Sequence, residues 1–181
     1  MDEGRECYLR FLAGEEDGLV GLLRLYRSGL ILYVNTITNN IFDAEDVVQD
    51  VFVKLCLKKP RYRDRAGFKT WLYTIARNMA LDFLRKEKAR PQLADIDEED
   101  LLQEEFNVED SLLQKETQKE LGDALHALRP EYAQVLFLTY YEGLSNKQTA
   151  KIMKRSVHSV ETLNHRARNA LKLLLQQEDL L

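Results

Sequence analysis

Between positions 54 and 90 the chain carries twelve basic residues: Lys54, Lys58, Lys59, Arg61, Arg63, Arg65, Lys69, Arg77, Arg85, Lys86, Lys88 and Arg90. Only Asp64, Asp82 and Glu87 oppose them. Phe68, Trp71, Tyr73 and Phe83 are interleaved with this charge. Positive groups attract phosphates, and aromatic rings offer faces on which unpaired bases stack, so the composition suits opened or single-stranded nucleic acid. Unstacking a base from a duplex is costly, and a site that captures the extruded base offsets that cost. Phe68, Trp71 and Phe83 fall on one apolar stripe and fit a core equally well. Tyr73, Arg77 and Asn78 fall off that stripe and are expected on an exposed face.

A second group of polar residues lies near the other end. His158, Ser159, Glu161, Thr162 and His165 share one side of a helical stretch, flanked by Arg155, Arg166 and Arg168. Ser145 followed by Gln148 is a capping box that opens a short helix. Lys154-Arg155 makes a turn, and Ser156 can cap a longer helix whose inner stripe is expected at Val157, Val160, Ala167, Leu171 and Leu174. A short helix, a tight turn and a longer helix form a helix-turn-helix, in which the second helix enters the major groove. The arginines would hold phosphates, Glu161 could accept a hydrogen bond from cytosine, and Thr162 could touch a thymine methyl. Polar residues on such a hairpin are also compatible with a plain solvated surface.

Other chemistries find little support. There is no nucleophile beside a base, no glycine-rich phosphate loop and no pocket-like cluster of acids, so no enzyme is expected. His158 and His165 without cysteine or acidic companions do not make a metal site, and neither metal nor cofactor is expected. Cys7 and Cys56 show no CxxC spacing, which fits a reducing cytoplasm. The start, MDEGRECYLR, lacks the basic-then-apolar pattern of a signal peptide. No apolar run reaches membrane-spanning length, so a soluble intracellular protein without membrane insertion is expected.

The elements that must hold these residues are helical. The 181 residues include only three prolines and eight glycines, which leaves room for long helices. Ala44, Val47, Val48, Val51, Phe52, Leu55 and Cys56 recur at three- and four-residue spacing and predict a helix over 43–57, with Asp43 as its cap. Asp17 is expected to cap an earlier helix carrying Leu19, Leu22, Leu23, Leu25 and Tyr26. The β-branched run from Leu30 to Ile37 reads as buried helix, because no partner strand exists for it. A further helix is expected over 68–85. The net charge of -4 conceals an asymmetry: residues 91–110 hold nine acids and no base, the composition of a tether. Periodicity resumes at Leu113, Leu121, Ala124, Leu125 and Leu128. Pro130 then opens a helix that runs through Tyr132, Val135, Leu136 and Thr139 to a stop at Gly143. The fold class expected is all-α: two small helical domains, 1–90 and 112–181, joined by an acidic linker at 91–111.

Taken together, the motifs carry a family resemblance. DAEDVVQDVFVKL at 43–55, followed by FKTWLYTIARNMALDFLRK at 68–86, resembles region 2 of extracytoplasmic-function RNA polymerase sigma factors. GLSNKQTAKIM with SVETLNHRAR resembles region 4 of the same family. The likeness runs from about Leu19 to Leu174, in the right order and with the right gap. It implies core RNA polymerase and promoter DNA as partners, with an anti-sigma protein as regulator. By position, it places polymerase docking on Asp46, Gln49 and Asp50, with Glu45 and Lys54 beside them. It places melting and capture of the promoter-proximal element on Arg61, Arg63, Lys69, Arg77, Asn78 and Arg85, with Tyr73 among them. Region 4 would read the distal element as duplex DNA through Arg155, Ser156 and the 158–168 residues named above. The chain departs from the family at Lys154, where glycine is common, at Glu161, where a base is common, and at Leu163-Asn164. An acid and an apolar residue on the reading side would weaken phosphate-driven affinity. The alternative is a stand-alone helix-turn-helix regulator, which would bind duplex DNA strongly without polymerase and would leave the 43–55 motif unused.

Overall fold

The structure, a computed structural model, describes residues 2–62, 67–89 and 127–178. Arg63, the linker at 91–111 and the periodic residues Leu113 to Leu125 lie outside the described residues. The described elements are α1 (Glu3–Leu12), α2 (Glu16–Thr38), α3 (Ile41–Lys58), α4 (Phe68–Ala89), α5 (Pro130–Leu136), a π-helical turn (Phe137–Tyr141), α6 (Asn146–Met153) and α7 (Val157–Glu178). No strand occurs among the described residues. Helices α1 to α4 pack into one bundle and α5 to α7 into a second, smaller one. The two also touch, through α4 against α6 and α2 against α5.

The helix boundaries follow from local hydrogen bonding. Asp2 accepts from the Arg5 amide at 3.2 Å and so caps α1, while its other oxygen accepts from the Phe68 amide at 2.8 Å and satisfies the start of α4. The α1 helix was not anticipated from the sequence, although Cys7, Tyr8, Phe11 and Leu12 recur at helical spacing. It covers the bundle with Tyr8, which is buried against Phe68 and Trp71 and donates its hydroxyl to the Pro60 carbonyl at 2.5 Å. Burial pushes the Tyr8 phenol up to about 12. The next helix begins at Glu16, with Glu15 at the cap position making no side-chain bond. Asp17, expected as the cap, sits instead in the first turn with Glu16, where a carboxylate meets the positive end of the helix dipole.

The start of α3 is also earlier than the sequence suggested. Asn39 takes the left-handed conformation (φ 56°) that ends α2. Asn40 is then extended, and its side chain accepts from the Phe42 and Asp43 amides at 2.9 and 3.4 Å. Asn40 therefore caps the helix, and Asp43 falls in the first turn. The stripe Ala44, Val47, Val48, Val51, Phe52 and Leu55 is buried as expected, while Cys56 is half-buried at its edge. The run from Leu30 to Ile37 is helix, with Leu30, Ile31, Tyr33, Val34 and Ile37 in the core.

In the second bundle, Pro130 occupies the first turn of α5. The helix then widens. Glu142 donates its amide to the Phe137 carbonyl, five residues back, at 3.0 Å. Gly143 (φ 65°) turns the chain, and the capping box between Ser145 and Gln148 starts α6. Lys154 adopts a left-handed conformation (φ 53°), the geometry that elsewhere favours glycine. Ser156 then caps α7, its hydroxyl accepting from the Ser159 amide at 3.1 Å.

The core sets the stability of the larger bundle. Leu55→Ala removes a fully buried side chain and is expected to cost about 2–5 kcal/mol. Ser145→Ala, which removes only a cap, is expected to cost about 1 kcal/mol. Urea unfolding midpoints followed by far-UV circular dichroism would rank the two.

Candidate nucleic-acid and partner interfaces

Three surfaces carry the residues singled out from the sequence. The first is the outer side of α3. Burial of its apolar stripe fixes the rotation of the helix, and that rotation leaves Asp46, Gln49 and Asp50 exposed, with Glu45 and Lys54 half-buried next to them. Beside these carboxylates lies a shallow groove between α2 and α3, lined by Leu23, Arg27, Phe52, Val53 and Leu57 among others. Leu57 is 80% exposed, and Val53 and Phe42 are exposed as well. Sequence reasoning missed this apolar margin. The available signal was Val53 and Leu57 themselves, four residues apart and off the buried stripe, so that they share a second face.

The second surface is α4 and the segment before it. Arg61 is exposed, Arg77 and Asn78 are half-buried, and Arg85 is exposed and paired with Asp82 at 2.8 Å. Tyr73 does not lie on an exposed face: it is only 1% exposed. Its ring packs on Tyr33, whose other neighbour is Phe137 of the π-helical turn. Its hydroxyl donates to Glu142 Oε1 at 2.6 Å. Lys69 Nζ meets Glu142 Oε2 at 2.5 Å and the Glu142 carbonyl at 2.9 Å. Burial, reinforced by the Glu142 carboxylate, holds the Tyr73 phenol well above its usual range. The expectation of an exposed face failed because it considered α4 alone, and the smaller bundle covers that face. Arg77 Nε is buried without a hydrogen-bond partner, as is the Tyr33 hydroxyl.

The third surface is the helix-turn-helix. Ser156, His158, Glu161, Thr162, His165, Arg166 and Arg168 are all exposed along α7 and its cap, and Ser159 is half-buried. His158 stands 3.9 Å from Glu161, and the Thr162 hydroxyl donates to the His158 carbonyl at 3.1 Å. Arg155 pairs with Glu131 of α5 at 2.5 Å, so its guanidinium is engaged within the bundle. Two residues change sides relative to expectation. Val157 is exposed at the first position of α7. Leu163 is buried and joins Val160 and Ala167 in the inner stripe, with Asn164 half-buried beside it. The apolar departure at 163 is therefore a core residue, and Glu161 remains as the unusual residue on the exposed side of α7, with Lys154 exposed in the turn before it.

Comparison with known proteins is decisive at this point. Residues 22–90 match the family model for Sigma-70 region 2, and residues 118–171 match that for Sigma-70, region 4. The chain is 30% identical over 158 residues to the RNA polymerase sigma factor YlaC of Bacillus subtilis (strain 168), covering 86% of this chain and 91% of that protein. It is 32% identical over 142 residues to the ECF RNA polymerase sigma-E factor of Haemophilus influenzae, covering 74% and 75% respectively. The chain belongs to the extracytoplasmic-function RNA polymerase sigma factors. As such it binds core RNA polymerase and directs promoter-specific initiation. Among solved structures, the sigma factor RpoE of Bartonella quintana, in complex with the anti-sigma factor NepR, superposes with a TM-score of 0.66 at 25% identity, over 85% of this chain and 94% of that one. No described helix of this sigma factor is long and apolar enough to cross a membrane.

The contact between the bundles gives a direct test. Tyr73→Phe keeps the ring against Tyr33 but removes one hydrogen bond to the Glu142 carboxylate. A bond to a charged acceptor contributes about 1.5–3 kcal/mol. The variant is expected to lose stability in that range in urea unfolding followed by Trp71 fluorescence.

Proposed function

We propose that this sigma factor divides its work among the three surfaces. The outer face of α3 (Asp46, Gln49 and Asp50, with Glu45 and Lys54) docks on core polymerase. The basic segment and α4 (Arg61, Arg63, Lys69, Tyr73, Arg77, Asn78 and Arg85) melt and capture the promoter-proximal element. The turn and α7 read the distal element, Arg166 and Arg168 holding phosphates, with Arg155 exchanging its Glu131 partner for one, while His158, Ser159, Glu161, Thr162 and His165 meet base edges. Residues 1–90 form the region 2 unit, 112–181 the region 4 unit, and 91–111 the acidic connector.

The observation that carries this reading is the two-sidedness of α3. Its apolar stripe is spent on the core, and its acidic and amide groups stand in solvent within the segment that matches Sigma-70 region 2. An exposed row of anionic and amide side chains on a rigid helix suits a partner surface rich in arginine and lysine, because such complementarity steers encounter and fixes register. The apolar margin at Val53 and Leu57 supplies the desolvated contact that such interfaces carry at their centre. The polymerase supplies the catalytic chemistry, and the sigma factor works in the cytoplasm without being an enzyme. The Bartonella quintana relative in complex with an anti-sigma factor supports a regulator here that covers the same surfaces.

Charge reversal at Asp46 and Asp50 to lysine is expected to reduce copurification with core polymerase while leaving the circular dichroism spectrum unchanged. Undiminished copurification would show that docking lies elsewhere. Transcription reconstituted with core polymerase on genomic fragments should initiate at a small promoter set with the parent chain and fall with the double variant. For the distal element, Arg166→Ala or Arg168→Ala is expected to weaken duplex binding by the polymerase holoenzyme across sequences and to reduce the salt slope by about 1 each. Fluorescence anisotropy over a series of salt concentrations measures this.

A further inference from the structure

We infer that the chain carries its own mask for the promoter-capturing face of α4, and that Glu142 is the latch that holds it shut. The inference rests on the reading of Lys69 and Tyr73 as promoter-facing residues. In the closed arrangement both are already engaged. Lys69 Nζ meets Glu142 Oε2 at 2.5 Å and the Glu142 carbonyl at 2.9 Å, and the Tyr73 hydroxyl meets Glu142 Oε1 at 2.6 Å. The Glu142 side chain is only 9% exposed, so the carboxylate serves this contact and little else. It is an anion held by an ammonium and a phenol, the same groups that would hold a backbone phosphate. DNA and Glu142 therefore compete for one pair of donors.

Local structure is shaped for this contact. The π-helical turn lets the amide of Glu142 bond five residues back to Phe137, which rotates the end of the helix and brings its acid over α4. Single-turn widenings of this kind are frequent at functional sites. On the facing helix α2, Gly29 leaves the space the latch needs: a Cβ there would stand 2.5 Å from Glu142 Oε1 and 2.6 Å from the Tyr73 hydroxyl. The contact also has features of one that opens. The Tyr33 hydroxyl, on the residue that stacks against Phe137, is buried without a hydrogen-bond partner. Closure thus leaves a polar group unsatisfied, which limits how firmly it holds.

Two variants separate the latch from folding. Glu142→Gln removes the charge from the smaller bundle. Gly29→Ala places a methyl against both halves of the Tyr73–Glu142 contact from α2 without substituting any DNA-facing residue, and alanine is the better helix former of the two. Both are made in the full chain and compared with the parent by small-angle X-ray scattering and by anisotropy with single-stranded oligothymidine. Both variants are expected to show a larger radius of gyration. Their oligothymidine affinity should rise by about tenfold if the open fraction rises from roughly a tenth to nearly all. An unchanged radius of gyration in both variants overturns the latch, whatever the affinity does. Expansion without a gain in affinity overturns the mask, because the uncovered face then does not bind DNA. The docking role of α3 is untouched by either result, since it is tested at Asp46 and Asp50.

Discussion

A helix that works at a surface has to satisfy two demands with one rotation. Burying an apolar stripe is favourable by about 25 cal/mol per Å2 removed from water, and this sets the angle at which the helix meets its neighbours. The 3.6-residue period then dictates what the opposite side presents. In α3 the stripe from Ala44 to Leu55 goes inward, and Asp46, Gln49 and Asp50 are turned outward without any hydrogen bond of their own to hold them there. In α7 the same rule sends Val160, Leu163 and Ala167 inward and leaves Glu161, Thr162, His165 and Arg168 outside. The orientation of both exposed faces is thus a by-product of core packing.

The same constraint explains which parts of the molecule were legible in the sequence. The all-α class, the buried helix from Leu30 to Ile37, the Ser145–Gln148 capping box and the Ser156 cap all rest on local spacing or local hydrogen bonds, and all appear in the structure. The errors have local causes too. Asn40 and Asp43 are both competent caps, and only the left-handed conformation of Asn39 decides between them. In α7, Leu163 lies three residues after Val160 and four before Ala167, so the spacing did carry it although sequence reasoning missed it, whereas Val157 stands exposed at the first position of the helix. Tyr73 is a different kind of miss. Its partner Glu142 lies 69 residues away, and nothing in the spacing of α4 announces that a second bundle will cover it.

Region 4 shows how one backbone irregularity can join local and distant structure. A regular helix continued through Thr139 to Gly143 is what the sequence suggests. The observed π-helical turn instead stacks Tyr141 on Phe137 at 4.6 Å, and Phe137 in turn on Tyr33 of α2. The aromatic ladder and the acid that follows it meet the larger bundle together. Tyr33 and Tyr73, both buried, are the receiving side. The smaller bundle consequently reaches its neighbour through the end of α5 and through α6, while the exposed side of α7 stays clear.

Asp2 gives the larger bundle a mechanical link between its first and last helices. One carboxylate closes the first turn of α1 and the first turn of α4 at once, so the positive ends of two helix dipoles converge on a single anchor. A pull on the leading segment is thereby transmitted across 66 residues of sequence to the root of the helix that bears Lys69 and Tyr73. Load applied at one corner of the bundle is felt at the N-terminal root of α4, the helix against which α6 of the smaller bundle packs.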